Sequence, residues 1–254
     1  VARISVIIPV YNDADLLRVC LDALARQTRS ADEIVVVDNA STDATAHVAR
    51  SAGARVVYEP VRGIPSATSA GFDAANGDIF ARLDADSVPA DDWLERIEAA
   101  FAAGPEASAV TGTADFYGGN ALSRWFGSSC YLPAYFSAMG MLLGHPPLFG
   151  SNFAMRAEAW PMVRNSAHRD RADVHDDLDL SFQFRPDMTV LYDPALRVSI
   201  SARPFASVGA FARRVRLGVV TVAVNVMRES PIERRRQRAV PQLSAGDTPQ
   251  PGFG

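Results

Sequence analysis

The first hundred residues alternate between two patterns. Residues 4–10 are apolar and mostly β-branched, which predicts a strand covered on both faces. Residues 13–25 then set Leu16, Leu17, Cys20, Leu21 and Leu24 at helical spacing behind Asp13, a favoured capping residue. The same reading predicts strands over 33–37, 55–59 and 79–83, and helices over 42–51, 65–76 and 91–103. Strands alternating with helices at this interval predict an α/β fold with a mainly parallel central sheet and helices on both faces. From about residue 109 the regularity fades. Residues 110–113 read as another strand, and 122–149 are rich in Trp, Phe, Tyr, Met, Pro and Gly, which suits either a core or an acceptor- or membrane-facing surface.

Parallel sheets bind ligands beyond the carboxyl ends of their strands. The polar residues fall there: Tyr11-Asn12-Asp13, Asp38-Asn39, Arg62-Gly63 and Asp84-Ala85-Asp86. The turn after the first strand, Pro9-Val10-Tyr11-Asn12, has no glycine-rich fingerprint, so a dinucleotide fold is not expected, and no P-loop occurs. Asp84 and Asp86 set two carboxylates two residues apart at a strand end, where a hard divalent cation could gather them with a diphosphate. The same residues would also serve as a cap for the next helix.

At 254 residues and 48% hydrophobic content the chain can bury a full core. A net charge of −4 argues against a protein that coats nucleic acid, and no nucleic-acid partner is expected. Two cysteines, Cys20 and Cys130, support neither a disulfide framework nor a zinc site, which fits a reducing cytoplasm. The opening apolar run is too short for a secretion signal, and no stretch approaches the ~20 apolar residues of a membrane helix.

Four segments, in order, carry a resemblance: residues 5–12, Ser-Val-Ile-Ile-Pro-Val-Tyr-Asn; residues 35–43, ending Asp38-Asn39-Ala40-Ser41-Thr42-Asp43; Leu83-Asp84-Ala85-Asp86; and Gly150-Ser151-Asn152, followed by His175-Asp176-Asp177-Leu178. Together they resemble the inverting family 2 glycosyltransferases of the GT-A fold. The resemblance implies a nucleotide-sugar-binding part over 1–115 and an acceptor-binding, catalytic-base part over 116–200. It implies donor contacts from Pro9, Tyr11, Asn12, Asp38, Arg62, Asp84, Ala85 and Asp86, with Mg²⁺ or Mn²⁺ held by Asp84 and Asp86. It implies acceptor contacts from Gly150, Ser151, Asn152 and Asp176, and makes Asp177 the general base of a hexosyltransferase using a UDP- or GDP-sugar. The implied acceptor is a glycan or a polyprenyl or other lipid-linked carrier. Where many relatives carry Ala-Arg-Asn, this chain has Ala67-Thr68-Ser69, so Arg62 or Arg82 would have to reach the phosphates instead. A non-catalytic nucleotide-sugar-binding protein and a sugar nucleotidyltransferase are the alternatives.

Residues 201–238 gather Arg213, Arg214, Arg216, Arg228, Arg234, Arg235, Arg236 and Arg238 around the apolar run 217–227. Three readings follow: an interfacial helix against anionic lipid at the inner face of the cell membrane, a helix packed back on the domain, or a phosphate contact from Arg213, Arg214 or Arg216. Residues 239–254 are expected to be disordered.

Overall fold

A computed structural model describes residues 1–205 and 207–239. In chain order the elements are β1 (Ile4–Val10), α1 (Ala14–Ala25), β2 (Glu33–Asp38), α2 (Thr45–Ser51), β3 (Arg55–Tyr58), α3 (Ile64–Ala74), β4 (Ile79–Arg82), β5 (Val88–Pro89), α4 (Trp93–Ala103) and β6 (Ala107–Tyr117). Then follow α5 (Ala121–Phe126), a π-helical turn (Gly127–Tyr131), α6 (Leu132–Leu143), β7 (Phe153–Arg156), α7 (Ala159–Val163), α8 (Asp176–Gln183), β8 (Thr189–Ser201), a 3₁₀ turn (Arg203–Phe205), α9 (Val208–Val226) and α10 (Pro231–Ala239).

The strands form one sheet in the order β3-β2-β1-β4-β7-β6-β8-β5. β3, β2, β1 and β4 run parallel, with Ile8 opposite Val36 and Ile7 opposite Arg82. β7 then enters antiparallel to both β4 and β6, while β6 and β8 are parallel to each other. The α/β architecture and the parallel first half agree with the alternating pattern; the second half is mixed. The boundary expected at residue 115 falls inside β6, so a single sheet runs through both parts.

Strand alternation divides the core. Ile4, Val6, Ile8 and Val10 of β1 pack with α1, α2 and α4, while Ile7, Val35 and Val37 pack on the opposite face with α3, α7 and α8. α3 lies close to the sheet because Gly71 has no side chain: a β-carbon there would collide with Ile7. Both faces being covered is why β1, β2 and β4 carry near-continuous apolar runs.

Two late segments had alternative readings in the sequence. In the aromatic segment Leu132 and Leu143 are buried, yet Leu122, Trp125, Phe126 and Met141 are exposed, so α5 and α6 are largely surface. The basic segment packs back on the domain. α9 is fastened to α8 through Thr221, whose hydroxyl accepts from His175 N at 2.8 Å, and Asn225, which donates to Asp179 at 2.8 Å. Arg234 pairs with Glu229 at 2.6 Å and donates to Phe182 O and Phe184 O, while Arg238 donates to Phe184 O at 2.8 Å. These two arginines satisfy carbonyls at the end of α8 and are not available to lipid. Of the tail expected to be disordered, Ala239 ends α10 and the remainder lies outside the described residues.

Glu33 shows how the sheet edge is tied. Its carboxylate accepts from Ser5 Oγ at 2.6 Å, Asn76 N at 2.9 Å and Arg55 Nη2 at 2.7 Å. Burial acts against ionisation, but these donors outweigh it and bring the pKa from 4.5 down to about 2. A depressed folded-state pKa stabilises the fold above the unfolded value and loses that contribution as pH falls toward the folded one. Glu33→Gln is therefore expected to cost about 2–3 kcal/mol at pH 7 and to flatten the loss of stability between about pH 4.5 and 2 in urea titrations.

Candidate active site

The loops after β1, β2 and β4 meet the 150–152 loop and the start of α8 at one sheet edge. β4 ends in Arg82, a residue only 1% exposed, whose guanidinium bridges two carboxylates: Nη1 to Asp84 Oδ1 at 2.8 Å and Nη2 to Asp176 Oδ2 at 2.9 Å. Thr68 Oγ1 of α3 adds a 2.9 Å hydrogen bond to the same Asp176 oxygen. Asp176 is thus held by the framework, and Arg82 is committed to carboxylates rather than free for phosphate.

The 150–152 loop connects the two acidic pairs. Gly150 N donates to Asp177 Oδ2 at 2.8 Å, and Ser151 Oγ donates to Asp84 Oδ2 at 2.5 Å. A β-carbon at Gly150 would lie 2.8 Å from Asp177 Oδ2 and collide with Arg82, so only glycine fits here. Asn152 is fully buried; its amide accepts from Trp93 Nε1 at 2.7 Å and donates to Thr113 O at 2.8 Å and Leu196 O at 2.7 Å. With its side-chain polar atoms bonded inside the protein, Asn152 supports the loop from below.

The Asp-Ala-Asp pattern follows from alternation. Ala85 is buried in the core and anchors the loop, while Asp84 and Asp86 flank a small cavity shared with Ser151. Burial disfavours charge on Asp84, yet Arg82 and Ser151 hold its pKa below the usual value. Asp86 behaves oppositely: burial and the neighbouring Asp84 raise it to about 6, against the pull of Arg203. Arg203 donates to Asp86 Oδ2 at 3.1 Å and Asp13 Oδ2 at 2.6 Å. It was missed in sequence because it lies past the recognisable segments, beyond β8, where no spacing links it to Asp86.

Asp177 opens α8. Its Oδ1 accepts from Leu178 N at 2.7 Å, and His175 Nδ1 lies 3.9 Å away. Its side chain borders a cavity of 670 Å³ with Tyr131, Tyr135, His175 and Arg214.

On the other side, Arg62 stacks on Tyr11 with its guanidinium carbon 3.2 Å from the ring centre. Asn12 takes a left-handed conformation, φ 48°, and accepts from Thr42 N at 2.7 Å, joining the first two loops. Asp38 is buried at the end of β2 and accepts from Ser41 N at 2.9 Å. Pro9 is buried within β1 opposite Val37, so it shapes this edge without facing it.

This sheet order, with an Asp-x-Asp loop and an acidic helix start across from it, defines a GT-A glycosyltransferase fold. The chain belongs to glycosyl transferase family 2, whose model matches residues 5–160. It is 36% identical over 126 residues to glycosyltransferase AglE of Haloferax volcanii, a match that takes in 46% of this chain and 38% of that protein. The chain thus spans well under half the length of this curated relative. Among solved structures, the mannosyltransferase PcManGT of Pyrobaculum calidifontis, in complex with GDP-Man and Mn²⁺, superposes with a TM-score of 0.61 at 22% identity, over 94% of this chain and 73% of that one. Glucosyl-3-phosphoglycerate synthase of Mycobacterium tuberculosis, in complex with Mn²⁺, UDP and glucosyl-3-phosphoglycerate, gives a TM-score of 0.57 at 24% identity, over 88% and 80%.

Removing Arg82 would leave two buried carboxylates without their counter-charge. Arg82→Met is expected to cost about 3–5 kcal/mol in urea denaturation at pH 7, far more than the surface pair mutation Arg18→Met, which should change stability by less than about 0.5 kcal/mol.

Proposed function

We propose that this chain is an inverting, divalent-metal-dependent hexosyltransferase that moves a sugar from a UDP- or GDP-sugar to a hydroxyl or phosphate of a glycan or lipid-linked acceptor. The observation that carries this reading is the convergence of the Asp84-Ala85-Asp86 loop and the Asp176-Asp177 pair on one edge, linked through Asp84, Asp176 and Asp177 by Arg82 and the 150–152 loop.

Asp84 and Asp86 are the residues that would hold Mg²⁺ or Mn²⁺. Their oxygen-only donor set suits a hard cation, and burial together with the adjacent Asp84 disfavours the Asp86 carboxylate in a way that Arg203 offsets only in part. Such a cation supplies neutralisation of the charge on a departing nucleoside diphosphate. Mn²⁺ with GDP-Man or UDP in the two related structures supports the same assignment.

The chain's own residues do the rest. Arg62 and Tyr11, with Asn12 and Asp38, form the wall on which the donor base rests. Asp177 receives the acceptor proton. Its two oxygens are fixed by Gly150 N and Leu178 N, which orients the carboxylate toward the 670 Å³ cavity. An oxygen delivered from that cavity attacks the anomeric carbon on the face opposite the leaving diphosphate, inverting its configuration.

Contact with an anionic membrane surface at its cytoplasmic side is part of this proposal. It rests on exposed Leu122, Trp125 and Val219 near exposed Arg213 and Arg216. Among the described residues no helix is long and apolar enough to cross a membrane.

A thermal-shift panel of UDP and GDP with and without Mn²⁺ tests the donor half. One nucleotide should raise the melting temperature by about 5–10 °C at a hundred times its dissociation constant, only with metal. Asp84→Asn and Asp86→Asn should remove that shift. Asp177→Asn should keep it while lowering nucleoside diphosphate release at least ~10²-fold. Unchanged turnover in Asp177→Asn would remove the general base from the account, and absence of turnover with every donor would favour a binding protein.

A further inference from the structure

The cavity beside Asp177 is too apolar to be explained by a sugar alone. It lies between α6 and α9, and α9 lines it along one face at regular spacing: Arg214, Gly218, Val222 and Val226, with Val219 and Met227 beside them. Twelve residues of helix span about 18 Å, so this is a long groove rather than a sugar-sized pocket. It is open where it matters, since a β-carbon on Gly218 would meet nothing within 4 Å. At the far end Met227 is 88% exposed, so the groove leads outward.

The inner end is charged. Arg214 lines both this groove and the small cavity that holds Asp84, Asp86 and Ser151. Its Nε donates to Tyr131 Oη at 3.1 Å, and among the described residues it enters no ion pair within 4.0 Å. By contrast Arg82, Arg203, Arg234 and Arg238 are all bound to carboxylates or carbonyls. The π-helical turn, where Leu132 N bonds Gly127 O, delivers Tyr131 to this point, and Tyr131 packs edge-on against Phe205 at 5.4 Å. A guanidinium fixed by one nitrogen, with its other two free at the end of an apolar channel, matches an anion carried on a hydrocarbon chain.

We propose that the groove seats the acceptor, and that this acceptor is an isoprenoid phosphate, its phosphate against Arg214 and its chain along α9. This rests on the transferase reading above and narrows its acceptor. In the transfer, a phosphate oxygen forms the new bond to the anomeric carbon as the bond from that carbon to the donor diphosphate breaks. The nucleoside diphosphate leaves with the electron pair, and a monoprotonated acceptor gives its proton to Asp177.

The test uses the full chain with geranylgeranyl phosphate as probe, against geranylgeraniol, inorganic phosphate and octyl glucoside, read by calorimetry. The phosphate ester should bind at least ten times more tightly than the alcohol, and inorganic phosphate should not bind measurably. Gly218→Trp puts a bulky side chain into the groove from a position where a β-carbon meets no other atom, so the helix itself accommodates it, and should weaken binding at least tenfold. Arg214→Gln should abolish the preference for the ester over the alcohol. Binding of octyl glucoside as tight as that of the ester, or full ester binding in Gly218→Trp, would overturn the proposal, as would no ester binding at all. The Mn²⁺-dependent nucleotide shift on the same samples separates the two readings. Ester binding without it keeps the groove and removes the transferase; the shift without ester binding does the reverse.

Discussion

Arg82 holds the two halves of this molecule in one chemical unit. It ends β4, the strand that pairs in parallel with β1 and antiparallel with β7, opposite Ile7 on one side and Phe153 on the other. The nucleotide-type parallel sheet and the mixed half therefore join at the position of this side chain. Burying a guanidinium is costly, and even here its Nε finds no acceptor, but two carboxylates on its outer nitrogens offset much of that cost. One of them belongs to the Asp84-Ala85-Asp86 loop and the other adjoins Asp177. Displacing Arg82 would thus disturb both the place where a donor phosphate is expected and the place where a proton would be taken.

The 150–152 loop repeats the same connection through neutral groups. Gly150 and Ser151 each give one hydrogen bond to an acidic pair, and Asn152 fixes the loop to Trp93, β6 and β8. A site built this way is oriented by backbone and small side chains, which lose little freedom on ordering. The larger groups, Arg203 and Arg214, arrive from the C-terminal segment and close it from outside. Because α9 is tied to α8 by Thr221 and Asn225, the groove beside Asp177 has its wall anchored to the element that carries Asp177.

Much of this was legible in the chain. Near-continuous apolar runs ending in polar loops marked β1, β2 and β4, because strands covered on both faces cannot hide the signal, and the acidic pairs stood out at their ends. The short strands β5 and β7 and the register-shifted β8 left no comparable trace: Val88–Pro89 is two residues, and Asp193, Pro194 and Arg197 interrupt β8. The burial of Asn152 and its bonds to Trp93, β6 and β8 were likewise not legible, because they depend on residues distant in sequence. The basic C-terminal segment stayed open between three readings for another reason. Composition counted its arginines together, whereas the fold gives Arg234 and Arg238 to carbonyls, Arg214 to the site and leaves Arg213 and Arg216 exposed.

The central claim is that Arg82 makes the Asp84 loop and the acidic start of α8, the proposed metal and base positions, one unit. Arg82→Lys tests it most directly, because lysine keeps the charge but lacks the planar fork that spans both carboxylates. Nucleotide affinity with Mn²⁺ and nucleoside diphosphate release should be measured on the folded fraction of this variant. The account predicts that both fall together, each by at least about tenfold. Loss of one with full retention of the other, in a protein that remains folded, would contradict it.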